Sequence, residues 1–93
     1  MEGRILENRD IFEEFSKNKI CVFVKPINEN KREEIAKSLG IDDLEKIFSF
    51  EYYMKEFLDK NEAYKYLMTF REKFRDDLYA CLYINGKFED EHT

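Results

Sequence analysis

Residues 19–27, KICVFVKPI, carry apolar side chains at five successive positions, and this run restricts the fold more than any other segment. In an extended strand, successive side chains point to opposite faces. Positions 20, 22 and 24 therefore face one side, while Cys21 and Phe23 face the other. A strand that is apolar on both faces must be covered on both faces. Pro26 cannot donate a ladder hydrogen bond, so we expect the strand to end near it.

A second strand is predicted at residues 78–84, LYACLYI, and the dipeptide Asn85–Gly86 follows it directly. Asparagine and glycine both tolerate positive φ angles, which suits a two-residue hairpin loop. We expect a short return strand around Phe88. The remaining residues, 89–93, are expected to form a short acidic tail that is frayed.

Three segments have the pattern of helices. Residues 8–18 place Ile11 and two phenylalanines on one face, behind a capping Asn8 or Asp10. Residues 28–40 begin with an Asn-x-x-Glu pattern that resembles a capping box and end at a glycine. Residues 62–75 form the third, and Asn61 caps it. Their apolar positions recur at spacings of four, three and four, which predicts one buried stripe: Ala63, Leu67, Phe70 and Phe74.

Residues 41–60, IDDLEKIFSFEYYMKEFLDK, are compatible with two structures. A strand would alternate apolar and polar positions from Phe48 to Met54. A helix, broken near Ser49, gives a longer apolar stripe and follows an Asp42–Glu45 capping pattern, so the helix is favoured. It would form a helical hairpin with the helix at residues 62–75, with the turn around Lys60–Asn61. It would also place four side chains in the core: Phe50, Met54, Phe57 and Leu58.

The helical interpretation leaves Phe48, Tyr52 and Tyr53 beside the apolar stripe, where they are covered by other elements or form an exposed aromatic patch. We expect Tyr52 and Tyr53 to be at least partly exposed. Taken together, these elements predict one α+β (mixed α/β) domain over residues 1–93. A sheet of two or three strands would pack with about four helices, and a strand at 47–54 would add a member to the sheet.

The composition limits the classes of function. The chain has 93 residues, 40% of them charged, and 21 acidic against 16 basic residues give a net charge of −5. This excess disfavours non-specific binding to nucleic acid and suits a basic partner surface. The chain shows no signal peptide and no apolar run long enough to span a bilayer, so an intracellular, cytoplasmic location without membrane contact is expected.

Catalytic and metal-binding signatures are absent from the sequence. Cys21 and Cys81 each lie in an apolar run, as reduced core cysteines usually do. The only histidine, His92, lies in the predicted tail, so neither a Cys–His pair nor a zinc site is expected. No phosphate-binding glycine motif occurs. We therefore expect no enzyme activity, no cofactor and no metal.

Two binding hypotheses remain, and both leave the oligomeric state open. The first is a non-enzymatic module that binds a basic protein surface, as antitoxins and phage-encoded anti-defence inhibitors occupy nucleic-acid-handling proteins. This step is an analogy from size and charge. Its predicted surface combines carboxylates with tyrosines: Asp42, Asp43, Glu45, Glu51, Tyr52, Tyr53 and Glu56.

The second hypothesis is a nucleic-acid-binding or structural subunit that uses the last predicted helix. Basic side chains near aromatic ones can contact phosphates and stack on bases. Acidic residues interrupt this patch, and basic residues near a helix C-terminus also complement the helix dipole. The residues concerned are Lys65, Arg71, Lys73 and Arg75.

Overall fold

A five-stranded antiparallel sheet forms the centre of the protein in a computed structural model that describes residues 3–6 and 12–92. The strands are Gly3–Leu6 (β1), Ile20–Pro26 (β2), Tyr52–Phe57 (β3), Leu78–Ile84 (β4) and Lys87–His92 (β5). The helices are Phe12–Phe15 (α1), Arg32–Ser38 (α2), Leu44–Ser49 (α3) and Lys60–Phe74 (α4). The strand order is β1-β3-β2-β4-β5.

The predicted α+β class is confirmed. The described residues form four α-helices, in line with the predicted number of about four, and the sheet is larger than the predicted two or three strands. β2 lies in the middle of the sheet and is almost fully buried. Its even-numbered apolar residues face α2, α3 and α4. Two of them belong to the larger cluster of buried residues, which we call the major core: Val22, Val24, Ile35, Ala36, Leu39, Ile41, Ile47, Phe50, Ala63, Leu67, Phe70, Phe74, Leu78, Ala80 and Leu82. Cys21 and Phe23 face the opposite side, where Phe12 of α1 stacks on Phe23 with ring centroids 3.8 Å apart. We call the smaller cluster of buried residues on this side the minor core: Phe12, Cys21, Phe23, Tyr52, Met54, Cys81 and Tyr83. The two-faced strand predicted from the sequence is therefore present.

The helix prediction for residues 41–60 is wrong over its second half. α3 ends at Ser49, and Tyr52–Phe57 is a strand between β1 and β2. Pairing with strands on both sides satisfies the backbone donors and acceptors of β3, and this outweighs the local helical pattern. The predicted helical hairpin is absent for the same reason. Leu58 follows the strand and is 88% exposed, so its assignment to the core is also wrong.

α4 matches the prediction closely. Its four apolar stripe residues are all buried in the major core. The helix begins at Lys60, two residues earlier than expected, because Asp59 rather than Asn61 is the capping residue and accepts a hydrogen bond from the backbone N–H of Asn61 at 3.2 Å. α4 packs over β4 and β2, so it covers the centre of the sheet.

The remaining predicted helices are shorter than expected. α2 begins at Arg32 after a 3-10 turn, Glu29–Lys31, that Asn28 caps by accepting from the Asn30 backbone N–H at 3.0 Å. Gly40 follows α2 with a φ of 89°, in keeping with its predicted role at the helix end. The predicted helix at 8–18 corresponds to α1, and its residues Asn8, Asp10 and Ile11 lie outside the described residues.

The predicted hairpin between β4 and β5 is confirmed. Asn85 and Gly86 both have positive φ angles, 52° and 78°. A Cβ atom on Gly86 would lie 3.2 Å from the Glu13 carbonyl oxygen, which also favours glycine there. β5 extends to His92, so residues 89–92 of the predicted acidic tail belong to a paired strand. The register shifts by one residue at Glu89, which forms a bulge.

Candidate protein-binding surface on α3

Both ends of α3 are fixed by hydrogen bonds. At its start, the carboxylate of Asp43 accepts from the backbone N–H of Glu45 at 3.0 Å, which is the capping role expected of an aspartate there. At its end, Phe50 has an extended backbone, and its N–H donates to the Lys46 carbonyl at 3.1 Å. The chain then turns directly into β3.

Arg32 of α2 holds the C-terminal end of α3. Its Nη1 donates to the carbonyl oxygens of Ile47, at 3.1 Å, and Phe50, at 2.8 Å. Its Nε donates to Glu29 at 2.9 Å, and its guanidinium lies 5.2 Å from the centre of the Phe50 ring. A cation is favourable at the negative end of a helix dipole. The side chain is only 10% exposed, so these bonds form largely out of water.

Phe48 is exposed on this short, fixed helix. Its neighbours Ile47 and Phe50 are buried in the major core, whereas Phe48 is 65% exposed. Acidic residues lie along the same stretch of chain, before and within the helix and just after it. We call Phe48 and these exposed acidic residues the α3 ridge: Asp42, Asp43, Glu45, Phe48 and Glu51.

The structure separates the other residues of the predicted acidic surface from this ridge. Tyr52 is only 6% exposed and packs in the minor core, edge-on to Phe12 with centroids 4.8 Å apart, so its predicted exposure is wrong. Tyr53 is half-buried against the major core on the opposite face, and burial raises its pKa. Glu56 accepts a 2.9 Å hydrogen bond from Lys19. A strand turns neighbouring tyrosines to opposite faces, so they cannot form one patch.

The predicted basic patch on α4 is divided in the same way. Arg71 lies 3.8 Å from Asp90 of β5, while Lys73 donates to the Ser38 hydroxyl of α2 at 3.2 Å. Residues two apart on a helix point in nearly opposite directions. Lys65 is exposed on α4, and Arg75 lies beyond its end with a φ of 47°. The four basic residues therefore do not form one continuous stripe.

Reactive and metal-binding groups do not converge in the described part of the chain. Cys21 and Cys81 are both buried thiols in the minor core, and burial raises the pKa of Cys21 to about 11. Among residues 3–6 and 12–92, no group of three or more histidine, cysteine, aspartate or glutamate residues is arranged to hold a metal ion. None of the described helices has the length and apolar character needed to cross a membrane.

A groove of about 430 Å³ lies at one end of the sheet. It is formed where β2 begins and where β3 and β4 end, and its apolar lining includes the exposed Leu58. The sequence did not predict it, because the helical interpretation placed Phe57 and Leu58 in the core. The lining residues are Asn18, Lys19, Ile20, Phe57, Leu58, Ile84 and Asn85.

Phe48 and Arg32 differ in whether the sequence indicates their roles. The sequence places Phe48 beside the predicted apolar stripe, and this position is the one signal that its side chain is exposed. Arg32 had no such signal, because it is one of many charged residues in a charged segment. Its role arises only when α2 and α3 pack together.

Comparisons of the chain with family models, with curated proteins and with solved structures return no match.

Proposed function

We propose that this protein is a non-enzymatic binding module that docks the α3 ridge onto a basic surface of a protein partner. The observation that carries the proposal is the exposure of Phe48 among carboxylates on a helix whose two ends are fixed. Exposed aromatic residues are enriched at the centres of protein interfaces. A partner surface that fits would offer lysines or arginines around an apolar pocket.

Each part of the ridge has a distinct role in this proposal. The carboxylates of Asp42 and Glu51 attract the partner over a distance and set its orientation, which raises the association rate. Phe48 enters the apolar pocket and slows dissociation. Arg32 keeps α3 in one conformation, so that little conformational entropy is lost on binding. The net charge of −5 also favours a partner whose binding surface is basic.

The proposed biological role is inhibition, in which the module covers a basic, nucleic-acid-handling surface of its partner. An acidic ridge would compete there with a phosphate backbone. Antitoxins and phage-encoded anti-defence proteins act in this manner, and the analogy rests on size and charge. The division of the α4 basic residues gives the nucleic-acid alternative no specific support.

Affinity capture from cells that naturally carry the protein tests the proposal. The bait would be the wild-type chain, at low and at high salt, and the captured protein would then be titrated against purified variants. The test variant, Asp42→Asn with Glu51→Gln, removes two exposed charges from the α3 ridge. The matched control, Glu33→Gln with Glu34→Gln, removes two exposed charges from α2.

The expected result is a protein captured at low salt and released at high salt. The ridge variant should bind it at least tenfold more weakly at low salt, while the α2 control should lose much less, because both variants have the same net charge. Equal losses in the two variants would show that only overall charge matters and would contradict a defined site. Capture of nucleic acid alone would favour the subunit hypothesis.

A further inference from the structure

The turn between β4 and β5 contains the dipeptide Asn85–Gly86, and the fold requires the glycine. Gly86 has a φ of 78°, which favours glycine, and a Cβ atom there would lie 3.2 Å from the Glu13 carbonyl oxygen. Asn85 is exposed, and of the asparagines in the chain it alone precedes a glycine. The fold therefore places an unhindered backbone nitrogen directly after an exposed side-chain amide.

These two groups can react with each other in water. The Gly86 nitrogen loses its proton to hydroxide and attacks Cγ of Asn85, and the Cγ–Nδ2 bond breaks as the new C–N bond forms. Nδ2 takes a proton from water and leaves as ammonia. A water molecule then opens the cyclic imide at one of its two carbonyls and leaves aspartate or isoaspartate at position 85. Attack within one chain is favoured because the two groups are held near each other.

Hydrogen bonds from the loop that precedes β2 act on both reacting groups. The Asn18 N–H donates to Oδ1 of Asn85 at 3.0 Å, so a donor already faces the oxygen that gains negative charge during the attack. The Gly86 N–H donates to the Ser16 carbonyl at 3.1 Å, and this bond must open before the nitrogen can lose its proton. The amide is thus activated, while the nitrogen that attacks it is held back.

We propose that Asn85 is a site of slow deamidation, timed by the opening of the Gly86–Ser16 hydrogen bond, and that isoaspartate there releases the hairpin from the loop. Isoaspartate carries the main chain through its side-chain carbon, so it adds one backbone atom to a turn of only two residues. The longer turn displaces the donor and acceptor atoms that now meet the loop, including the Asn85 N–H, which donates to the Lys19 carbonyl at 2.8 Å. The loop continues from α1, so its release would loosen the helix that covers the minor core.

Peptide mapping of the folded protein during incubation in mildly alkaline buffer tests the reaction. Deamidation raises the mass of the affected peptide by one unit, and a protein isoaspartate methyltransferase labels the isoaspartate form. Asn85 should convert at least tenfold faster than Asn61, which is also exposed but precedes a glutamate. In guanidinium chloride, where the Gly86–Ser16 bond is lost, Asn85 should convert at least tenfold faster again. No conversion of Asn85 in the folded protein, or equal rates in the folded and unfolded chain, would overturn the proposal.

Amide hydrogen exchange of the purified isoaspartate form tests the consequence. The amides of Asn18, Gly86 and position 85 should exchange at least tenfold faster than in the wild type. Asn85→Asp is the matched control, because it adds the same negative charge and keeps an acceptor oxygen without lengthening the main chain. Its amides should exchange at nearly the wild-type rate. Unchanged exchange in the isoaspartate form, or equally fast exchange in Asn85→Asp, would contradict release by the longer turn.

Discussion

Arg32 on α2 donates a 2.8 Å hydrogen bond from Nη1 to the backbone carbonyl of Phe50, the residue at which α3 changes into β3. The same nitrogen donates to Ile47 at 3.1 Å, so one guanidinium satisfies two carbonyls at the end of the helix. The last carbonyls of a helix have no partner within it and need one from elsewhere. Arg32 therefore supports the helix end from which Phe48 is exposed.

Replacing Arg32 with methionine should lower the free energy of unfolding by about 2–6 kcal/mol. Methionine retains apolar contact in this place, but it leaves two buried carbonyls without a donor, and each such loss costs about 1–3 kcal/mol. Denaturant unfolding measures the change. The control is Lys37→Met on the same helix, whose exposed contact with Glu33 at 3.9 Å should contribute less than about 1 kcal/mol. Equal effects in the two variants would contradict the role given to Arg32.

The segments that the sequence predicted well are those whose pattern has only one interpretation. β2 is apolar on both faces, and α4 has a single apolar stripe, so their local pattern and their tertiary contacts agree. Residues 47–54 fit both a helix and a strand. The change from helix to strand in this segment depends on Arg32 at the end of α3 and on pairing with β1 and β2. The sequence of the segment itself shows none of these contacts.

The predicted binding surface is divided in the structure for a related reason. Its residues at 42, 43, 45 and 51 are exposed just before, within and just after α3. Tyr52 and Tyr53 were placed by a helical periodicity that does not apply, and in the strand they face opposite cores. β1 was missed because its four residues are too few to show any period.

Truncation of Phe70 to alanine should lower the free energy of unfolding by about 3–5 kcal/mol, the range for a buried phenylalanine. Phe70 packs in the major core, between Tyr66 at 4.8 Å and Phe74 at 5.8 Å between ring centroids. Leu58→Ala is the matched apolar control and should change stability by less than about 0.5 kcal/mol, because Leu58 is exposed. A large loss in the control would show that the groove is closed in solution.

The two thiols should react slowly with alkylating reagents while the protein is folded. Cys21 and Cys81 are buried on the same face, where Cys21 lies opposite Tyr83 and Cys81 lies opposite Phe23. Such diagonal positions are about 7–8 Å apart, beyond the usual reach of a disulfide. Mass spectrometry after native and denaturing alkylation should find two labels only on denaturation. A mass two units low, or rapid native labelling, would refute this prediction.

Stability should decline as the pH rises from about 9 toward 11, in part through Cys21. Burial raises the pKa of this thiol from its ordinary value of 9.0 to about 11 in the folded protein. Between these values the unfolded chain loses the proton first, so ionisation favours unfolding and the stabilisation present below pH 9 is lost. The half-buried Tyr53 and Tyr66, whose pKa values are also raised by burial, act in the same direction. In Cys21→Val, the free energy of unfolding should fall less steeply with pH over this range. An unchanged slope would show that the Cys21 thiol does not contribute to the pH dependence.

Phe48 and Tyr52, four residues apart, should respond to truncation in opposite ways. Tyr52→Ala removes a ring that packs against Phe12 in the minor core and should lower the free energy of unfolding by about 3–5 kcal/mol. Phe48→Ala removes an exposed ring and should leave the melting temperature within a few degrees of the wild type.

In titrations with the captured partner, Phe48→Ala should nevertheless weaken binding by about 2 kcal/mol or more, the scale of an interface hot spot. Met68→Ala on α4, which also removes an exposed apolar side chain, is the control and should bind normally. If Phe48→Ala binds as tightly as this control, the interface lies away from the α3 ridge.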